Sequence, residues 1–302
     1  MSKGTIVAVG MFDGVHRGHR FILERLVSLA HKLDLEPAVV TFANHPLSVI
    51  APDRQPGLLS DTATRVGHIE QCGISNIRIL TFDDALRGLI ATEFAHKFLK
   101  TELNARAVLL GHDNGFGSER LRSVEAYRTA LQPLGIDVYA CEALPGQTVI
   151  NSTAVRNAVS SGDMHRAEEL LGRPYMLSGK VVRGKHLGTT IGFPTANIAT
   201  GSLLLPRPGV YRGTVVEPAR AAGLPAMINI GTAPTVNDGN DIVVEVHIIS
   251  DQPLGDMYGE KVSVTVSERL RDERRFASVA ELQQALAADR QRILRQCTMH
   301  NE

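Results

Sequence analysis

The spacing of apolar residues changes part-way along this chain, and that change limits its possible folds more than any other feature. In the first half, short apolar runs at residues 5–9, 37–42, 77–81 and 107–110 alternate with segments whose apolar residues recur at helical spacing. The clearest helical segment starts near His19, and the spacing of Ile22, Leu26, Leu29 and Leu33 predicts that these residues form its buried stripe. Alternating β and α elements predict a parallel sheet with helices on both faces.

The second half has a different rhythm. Two short helices with predicted caps at Ser152 and Asp163 are followed by five β-like runs that glycine and proline separate. Because no helical pattern lies between these runs, an antiparallel barrel or sandwich is favoured. Ser278 and Glu281 form a capping box that predicts a final helix. We place the domain boundary between residues 171 and 179.

The composition argues against several classes of partner. Lys+Arg and Asp+Glu both number 32, so no net charge attracts nucleic acid or an anionic membrane. No run approaches the roughly 20 apolar residues of a membrane helix, and the first residues lack a signal-peptide pattern. Three scattered cysteines indicate free thiols in a reducing compartment. We therefore expect a cytoplasmic protein that binds neither nucleic acid nor membrane, and the sequence leaves its oligomeric state open.

A glycine-rich segment, residues 10–19, directly follows the first predicted strand and opens the first helix. Its glycines let the backbone approach a phosphate, and the helix N-terminus offers unpaired N–H groups to an anion. His16 and His19 are three residues apart and lie on one side of the first helical turn, where they can neutralise charge on nucleotide phosphates. The alternative is a structural turn with exposed histidines.

A second glycine-rich stretch covers residues 179–192 and leads into Pro-Thr-Ala-Asn. Thr195 and Asn197 are two residues apart, so in an extended chain both side chains project to the same side. Their oxygen atoms suit Mg²⁺, which also shares phosphate oxygens. The alternative is a β-turn followed by an edge strand.

A carboxylate stands within the predicted strand of residues 242–249. Alternation places four aliphatic side chains on one face, with Glu245 and His247 together on the other. A carboxylate in a strand is disfavoured unless it is exposed or has a function. Both readings stay open on spacing alone.

Four segments of the first half resemble, in order, the nucleotidyltransferase half of bacterial bifunctional riboflavin kinase/FAD synthetases. They are Gly-Met-Phe-Asp-Gly-Val-His-Arg-Gly-His at 10–19, Thr-Phe-Ala-Asn-His-Pro at 41–46, a glycine-rich loop at 111–117 and Ile-Asn-Ser-Thr-Ala-Val-Arg at 150–156. Residues 41–46 resemble the family's flavin-side loop, and residues 150–156 resemble its phosphate-binding segment. The sequence departs from the family pattern at Met11, Asn44, Asn114 and Asn151.

The second half resembles the riboflavin kinases of the same family. Gly-Phe-Pro-Thr-Ala-Asn at 192–197, Glu-Val-His at 245–247 and Leu-Arg-Asp-Glu at 270–273 occur in the family's order. Thr189 replaces a frequent basic residue of the glycine-rich stretch.

The resemblance implies a Rossmann-like nucleotidyltransferase domain with a parallel sheet over residues 1–172. It implies an antiparallel β-barrel kinase domain with a C-terminal helix over residues 178–302. The kinase would phosphorylate riboflavin to FMN, and the first domain would adenylylate FMN to FAD with release of pyrophosphate. ATP would be the co-substrate of both reactions and Mg²⁺ the cofactor.

The resemblance also implies roles for individual residues. Glu245 would be the base of the kinase, and His16 and His19 would act on the phosphates during adenylylation. Thr195 and Asn197 would hold Mg²⁺ with ATP. The remaining implied ligand-binding residues are Gly10, Phe12, Asp13, Gly18, His45, Pro46, Asp113, Ser152, Thr153, Arg156, Gly179, Gly184, Gly188 and Arg271.

Two other functions compete with this interpretation. A nucleotidyltransferase with another phosphorylated acceptor explains the first half but leaves Pro-Thr-Ala-Asn and Glu245 without a use. A flavin-binding protein that has lost catalysis is the other, and the intact His16, Glu245 and Asn197 argue against it.

Overall fold

The structure is a computed structural model that describes residues 3–111, 115–119, 121–142, 150–184, 187–232 and 242–298. The chain divides into two compact units, Met1–Ser152 and Thr153–Glu302. Each unit is described by itself below. The functional limits 1–172 and 178–302 stay a prediction.

The first unit contains a five-stranded parallel sheet with strand order β3-β2-β1-β4-β5. Its strands are β1 (Thr5–Val9), β2 (Glu36–Phe42), β3 (Asn76–Leu80), β4 (Ala105–Leu110) and β5 (Asp137–Ala140). Its helices are α1 (Arg17–Leu33), α2 (Leu47–Ile50), α3 (Thr62–Glu70), α4 (Asp84–Gly88), α5 (Ala91–Phe94), which continues as a π-helix over Ala95–Glu102, and α6 (Val124–Leu131). The predicted α/β class is confirmed.

The order of the strands determines where a ligand can bind in this sheet. All five residues of β1 are buried, and separate apolar clusters cover the two faces of the sheet. The strand order reverses between β1 and β4, which leaves a crevice at their carboxyl ends. The glycine-rich segment of residues 10–19 starts at this crevice.

The second unit is built around a closed antiparallel barrel with strand order β10-β7-β6-β11-β8-β9. Its strands are β6 (Tyr175–Val182), β7 (Ala196–Ala199), β8 (Gly209–Glu217), β9 (Pro225–Thr232), β10 (Ile242–Ile248) and β11 (Lys261–Arg271). Its helices are α7 (Ser152–Ser161), α8 (Met164–Leu171), α9 (Leu187–Thr190) and α10 (Val279–Thr298). The barrel is confirmed, and the sandwich alternative is wrong.

The predicted caps at Asp163 and Ser278 form in this unit, whereas α7 begins at Ser152 itself and the cap predicted there stays a prediction. Asp163 accepts a hydrogen bond from Arg166 N at 2.9 Å, and Ser278 Oγ accepts one from Glu281 N at 3.2 Å. The Glu281 carboxylate accepts one from Ala277 N at 3.0 Å, one residue before the cap, so only the Ser278 half of the predicted capping box has its expected partner.

Strand β10 presents different residues to the two sides of the barrel wall. Val244 and Val246 are each 1% exposed and lie on one face. Ile249, just past the strand, points to the other face and belongs to an apolar cluster with Ile293 of α10. Since a helix packs on the outside of a closed six-stranded barrel, the face that carries Glu245 is the outer one.

Candidate active sites

The loop after β1 has an unusual backbone. Phe12, Gly14 and Val15 have φ values of 49°, 74° and 38°. Positive φ is uncommon for residues with a side chain, and such conformations persist only where the surroundings hold them. Phe12 and Val15 are fully buried. At the start of the loop, Gly10 N donates to Val40 O at 3.0 Å.

Asp13 holds this loop in place. Its buried carboxylate accepts hydrogen bonds from Leu59 N at 2.9 Å and Ser60 N at 3.2 Å. Gly14 N donates to Ser60 Oγ at 3.0 Å. These bonds fix the loop to the segment before α3, so the structure gives Asp13 a supporting contact. Its predicted ligand contact stays a prediction.

The two histidines form one stacked pair at the start of α1. Their ring centroids are 3.7 Å apart with an interplanar angle of 16°. His16 is 4% exposed, and its Nδ1 accepts a hydrogen bond from His19 N at 3.2 Å, so this ring carries its proton on Nε2 when neutral. The Phe12 ring meets His19 edge-on at 5.3 Å. A turn with two exposed histidines is therefore wrong for His16.

Gly18 stands in a tight place where the helix begins. A Cβ atom there would lie 3.0 Å from Ile150 O and 3.2 Å from His16 Nδ1. Ser152 Oγ donates to Asp13 O at 3.4 Å, which brings this predicted residue to the same loop. Thr153 and Arg156 lie on α7, in the second compact unit.

The loop after β2 is the predicted flavin-side loop. His45 Nδ1 accepts a hydrogen bond from Leu47 N at 3.1 Å, and Pro46 directly precedes α2. Asn44, a departure from the family pattern, donates to Phe82 O at 2.9 Å and accepts from Phe82 N at 2.8 Å. Asn44 thus fastens this loop to the chain after β3. Asp113 lies outside the described residues.

The second site lies on the outer face of the barrel. Glu245 of β10 is paired with Asn197 of β7 on one side and with Asn229 of β9 on the other. Directly paired residues project to the same face of a sheet. The three polar side chains therefore stand in one row, and Asn229 Nδ2 lies 3.5 Å from Glu245 Oε2. The site residues inferred from the sequence did not include Asn229.

Glycines leave room around Thr195 and Asn197. A Cβ atom on Gly184 would lie 2.1 Å from Asn197 Nδ2. One on Gly188 would lie 2.3 Å from Phe193 O and 3.3 Å from Thr195 Oγ1. The two oxygen-bearing side chains therefore stand where only glycine permits the close approach.

Gly179 and Arg271 have structural contacts. A Cβ atom on Gly179 would lie 2.2 Å from Ala199 O, so this glycine permits the close approach of β6 and β7. Arg271 Nη2 and Nε lie 2.8 Å and 2.9 Å from Asp289 Oδ2 of α10. A direct ligand contact for either residue stays a prediction.

His247 supports the segment that carries Thr195. The ring is buried, and its Nδ1 donates to Pro194 O at 2.8 Å, while the Phe193 ring packs edge-on at 5.4 Å. Burial lowers the pKa of His247, the Pro194 bond opposes that shift, and the charge of Arg290 adds to it. The neutral ring is the form that this environment favours.

A cavity of about 600 Å³ opens beside this histidine. Its walls are residues 192–196, the end of β10 and the following loop of residues 249–258. This volume falls within the range of ligand pockets, and the lining mixes apolar side chains with a few polar groups. The cavity therefore fits a small organic ligand next to Thr195.

Comparison with known proteins matches each half of the chain to a protein family. Residues 1–154 match the FAD synthetase family, and residues 171–297 match the riboflavin kinase family. The bifunctional riboflavin kinase/FMN adenylyltransferase of Escherichia coli (strain K12) is 35% identical over 288 residues, with 95% of this chain and 91% of the relative covered. The chain belongs to this bifunctional family.

Further comparisons extend the match. The family member from Bacillus subtilis (strain 168) is 28% identical, with 96% of this chain and 92% of the relative covered. A solved structure described as a macrolide-efflux protein from Streptococcus pneumoniae is 30% identical at a TM-score of 0.83 and covers 96% of this chain and 94% of its own. Within the described residues, no helix is long and apolar enough to cross a membrane.

Proposed function

We propose that this chain converts riboflavin to FAD in two steps, each with one ATP. The second unit transfers the γ-phosphoryl group of ATP to riboflavin and releases ADP. The first unit transfers the AMP portion of ATP to FMN and releases pyrophosphate. The observation that carries the kinase assignment is the position of Glu245 between the carboxamides of Asn197 and Asn229. The next two residues of the same strand, Val246 and His247, line the ligand-sized cavity together with Thr195.

In the kinase step, Glu245 takes the proton of the ribityl 5′-hydroxyl while its oxygen attacks the γ-phosphorus. A base at the attacking hydroxyl contributes about 10² to 10⁴ in rate. The amide of Asn229, 3.5 Å from the carboxylate, helps to orient the base. Holding the hydroxyl and the phosphate in line supplies much of the remaining acceleration.

Thr195 and Asn197 are the residues that would hold Mg²⁺ with ATP. Their oxygens are the hard ligands this ion prefers, and the glycines at 184 and 188 leave space beside them. When bound, Mg²⁺ neutralises charge that develops on the phosphates.

In the adenylylation step, an oxygen of the FMN phosphate attacks the α-phosphorus of ATP. His16 and His19 donate to phosphate oxygens on which charge develops, together with the N–H groups at the start of α1. The family resemblance also assigns phosphate binding to Ser152, Thr153 and Arg156, and the fork of an arginine suits a phosphate. The reaction requires no nucleophile from the protein.

We further propose that the protein acts in the cytoplasm. The three cysteines, Cys72, Cys141 and Cys297, lie far apart in the sequence, a pattern that is common for thiols of a reducing compartment.

The experiment that tests the function uses the full chain with riboflavin, ATP and MgCl₂, and separates the flavins by chromatography. FMN should appear first and FAD after it, and EDTA should stop both. Absence of both products refutes the proposal. FMN without FAD, also when FMN is supplied directly, refutes the adenylylation half.

A further inference from the structure

Arg65 of α3 is a buried cation at the edge of the proposed adenylylation site. It is 0% exposed, and among the described residues it is the first by volume of the fully buried side chains. Its Nη2 donates to Phe42 O and, at 3.3 Å, to Thr62 Oγ1. Phe42 is the last residue of β2, so the guanidinium holds the point where the flavin-side loop begins.

The charge of Arg65 stands in an environment that penalises it. Burial lowers the pKa of Arg65, and the nearby charges of Asp13 and Asp61 oppose that shift. Its Nε and Nη1 have no hydrogen-bond partner within the described part of the chain. Unsatisfied buried donors cost free energy, and an apolar side chain often fills such a place at no loss of stability. Stability alone therefore does not explain an arginine here.

The segment of residues 59–65 joins two loops of the site. Its N-terminal end binds the glycine-rich segment of residues 10–19, because Leu59 N and Ser60 N donate hydrogen bonds to the Asp13 carboxylate. Its C-terminal end binds the flavin-side loop, because Thr62 Oγ1 donates to Ala43 O at 3.2 Å next to the Arg65 contact. One short segment thus contacts both loops.

We propose that Arg65 is a positioning residue for the transfer of AMP to FMN. It fixes the end of β2, and with it residues 43–46, relative to the loop that carries His16 and His19. This inference rests on the proposed function of the first unit. Reacting groups misplaced by about 1 Å can lose a hundredfold in rate, so a shift of the flavin-side loop is expected to affect the FMN reaction strongly.

The decisive variant is Arg65→Met, which keeps a long side chain and removes the charge and the donors. We expect the KM for FMN to rise and the kcat of FAD formation to fall, with kcat/KM about ten- to a hundredfold lower. The KM for ATP and the rate of riboflavin phosphorylation should stay within about twofold of wild type. Arg65→Lys keeps the charge and a donor and should restore most of the FMN reaction.

Two further variants separate positioning from stability. Ile69→Val, one turn later on the same helix, shortens another fully buried side chain. It should lower the denaturation midpoint and leave the KM for FMN unchanged. Thr62→Val removes the hydroxyl bond to Ala43 O and should raise the KM for FMN by about twofold to tenfold.

The outcomes are distinct. Wild-type protein that makes no FAD from FMN refutes the function itself. An active wild type together with a folded Arg65→Met variant of unchanged KM and kcat overturns the role of Arg65. If Arg65→Met does not fold, an unchanged KM for FMN in Thr62→Val overturns it instead.

Discussion

Replacing Glu245 by glutamine removes the proposed base with little change of shape. The side chain is half-buried, and its Asn229 contact of 3.5 Å is at the outer limit of a hydrogen bond. We therefore expect the free energy of unfolding to change by less than about 0.5 kcal/mol. Loss of a positioned base should slow riboflavin phosphorylation by about 10² to 10⁴. At 1.36 kcal/mol per factor of ten, this raises the activation free energy by about 2.7–5.4 kcal/mol.

The assay measures both half-reactions on one preparation. Riboflavin with ATP reports the kinase, FMN with ATP reports adenylylation, and urea denaturation reports stability. Glu217→Gln is a matched control on the same barrel, where the carboxylate accepts from Ser263 Oγ at 2.8 Å and pairs with Lys261. The control should phosphorylate riboflavin at the wild-type rate. Wild-type phosphorylation by a folded Glu245→Gln variant would remove Glu245 from the mechanism.

Three further predictions concern other parts of the two sites. Changing His16 and His19 together to alanine removes donors worth roughly 3 kcal/mol each. The conversion of FMN to FAD should therefore fall at least about a hundredfold, while the phosphorylation of riboflavin persists. Equal losses of both activities would contradict the assignment. Gly184→Ala places a Cβ atom 2.1 Å from the Asn197 amide. Steady-state kinetics should therefore show a lower rate of phosphorylation and a higher KM for ATP. Unchanged kinetics would exclude Asn197 from the site. Burial lowers the folded-state pKa of His247, so the unfolded chain binds the proton more readily, and the free energy of unfolding should fall as the pH decreases through the usual histidine range near 6.5. His247→Gln should flatten this part of the pH profile in urea titrations, and a profile identical to wild type would refute it.

Local patterns were sufficient where the structure is itself local. Caps at Asp163 and Ser278 are short-range hydrogen bonds, and the sequence places them correctly. Period-two alternation placed Glu245 and His247 on one face of a strand, as observed. The four-residue strand β5 was not predicted, and a strand at β7 was considered only as the alternative to a metal site, because such short segments show too little alternation.

The buried stripe of α1 shows a similar limit. Helical spacing predicted Ile22, Leu26, Leu29 and Leu33, but the fully buried residues are Leu23, Leu26 and Ala30. Periodicity identifies the helix and its apolar side, whereas the contact with the sheet decides which residues of that side lie deepest.

The sequence by itself determined the order of elements, the two kinds of sheet and, through family resemblance, most of the candidate residues. Only the tertiary structure placed Asn229 beside Glu245, because strand register joins residues that are sixteen positions apart. Arginine on a helix normally indicates a solvent-facing side. The burial of Arg65 depends on how α3 packs against the ends of β1 and β2. Contacts between elements that are distant in sequence leave no local pattern, so the burial of this arginine could not be predicted.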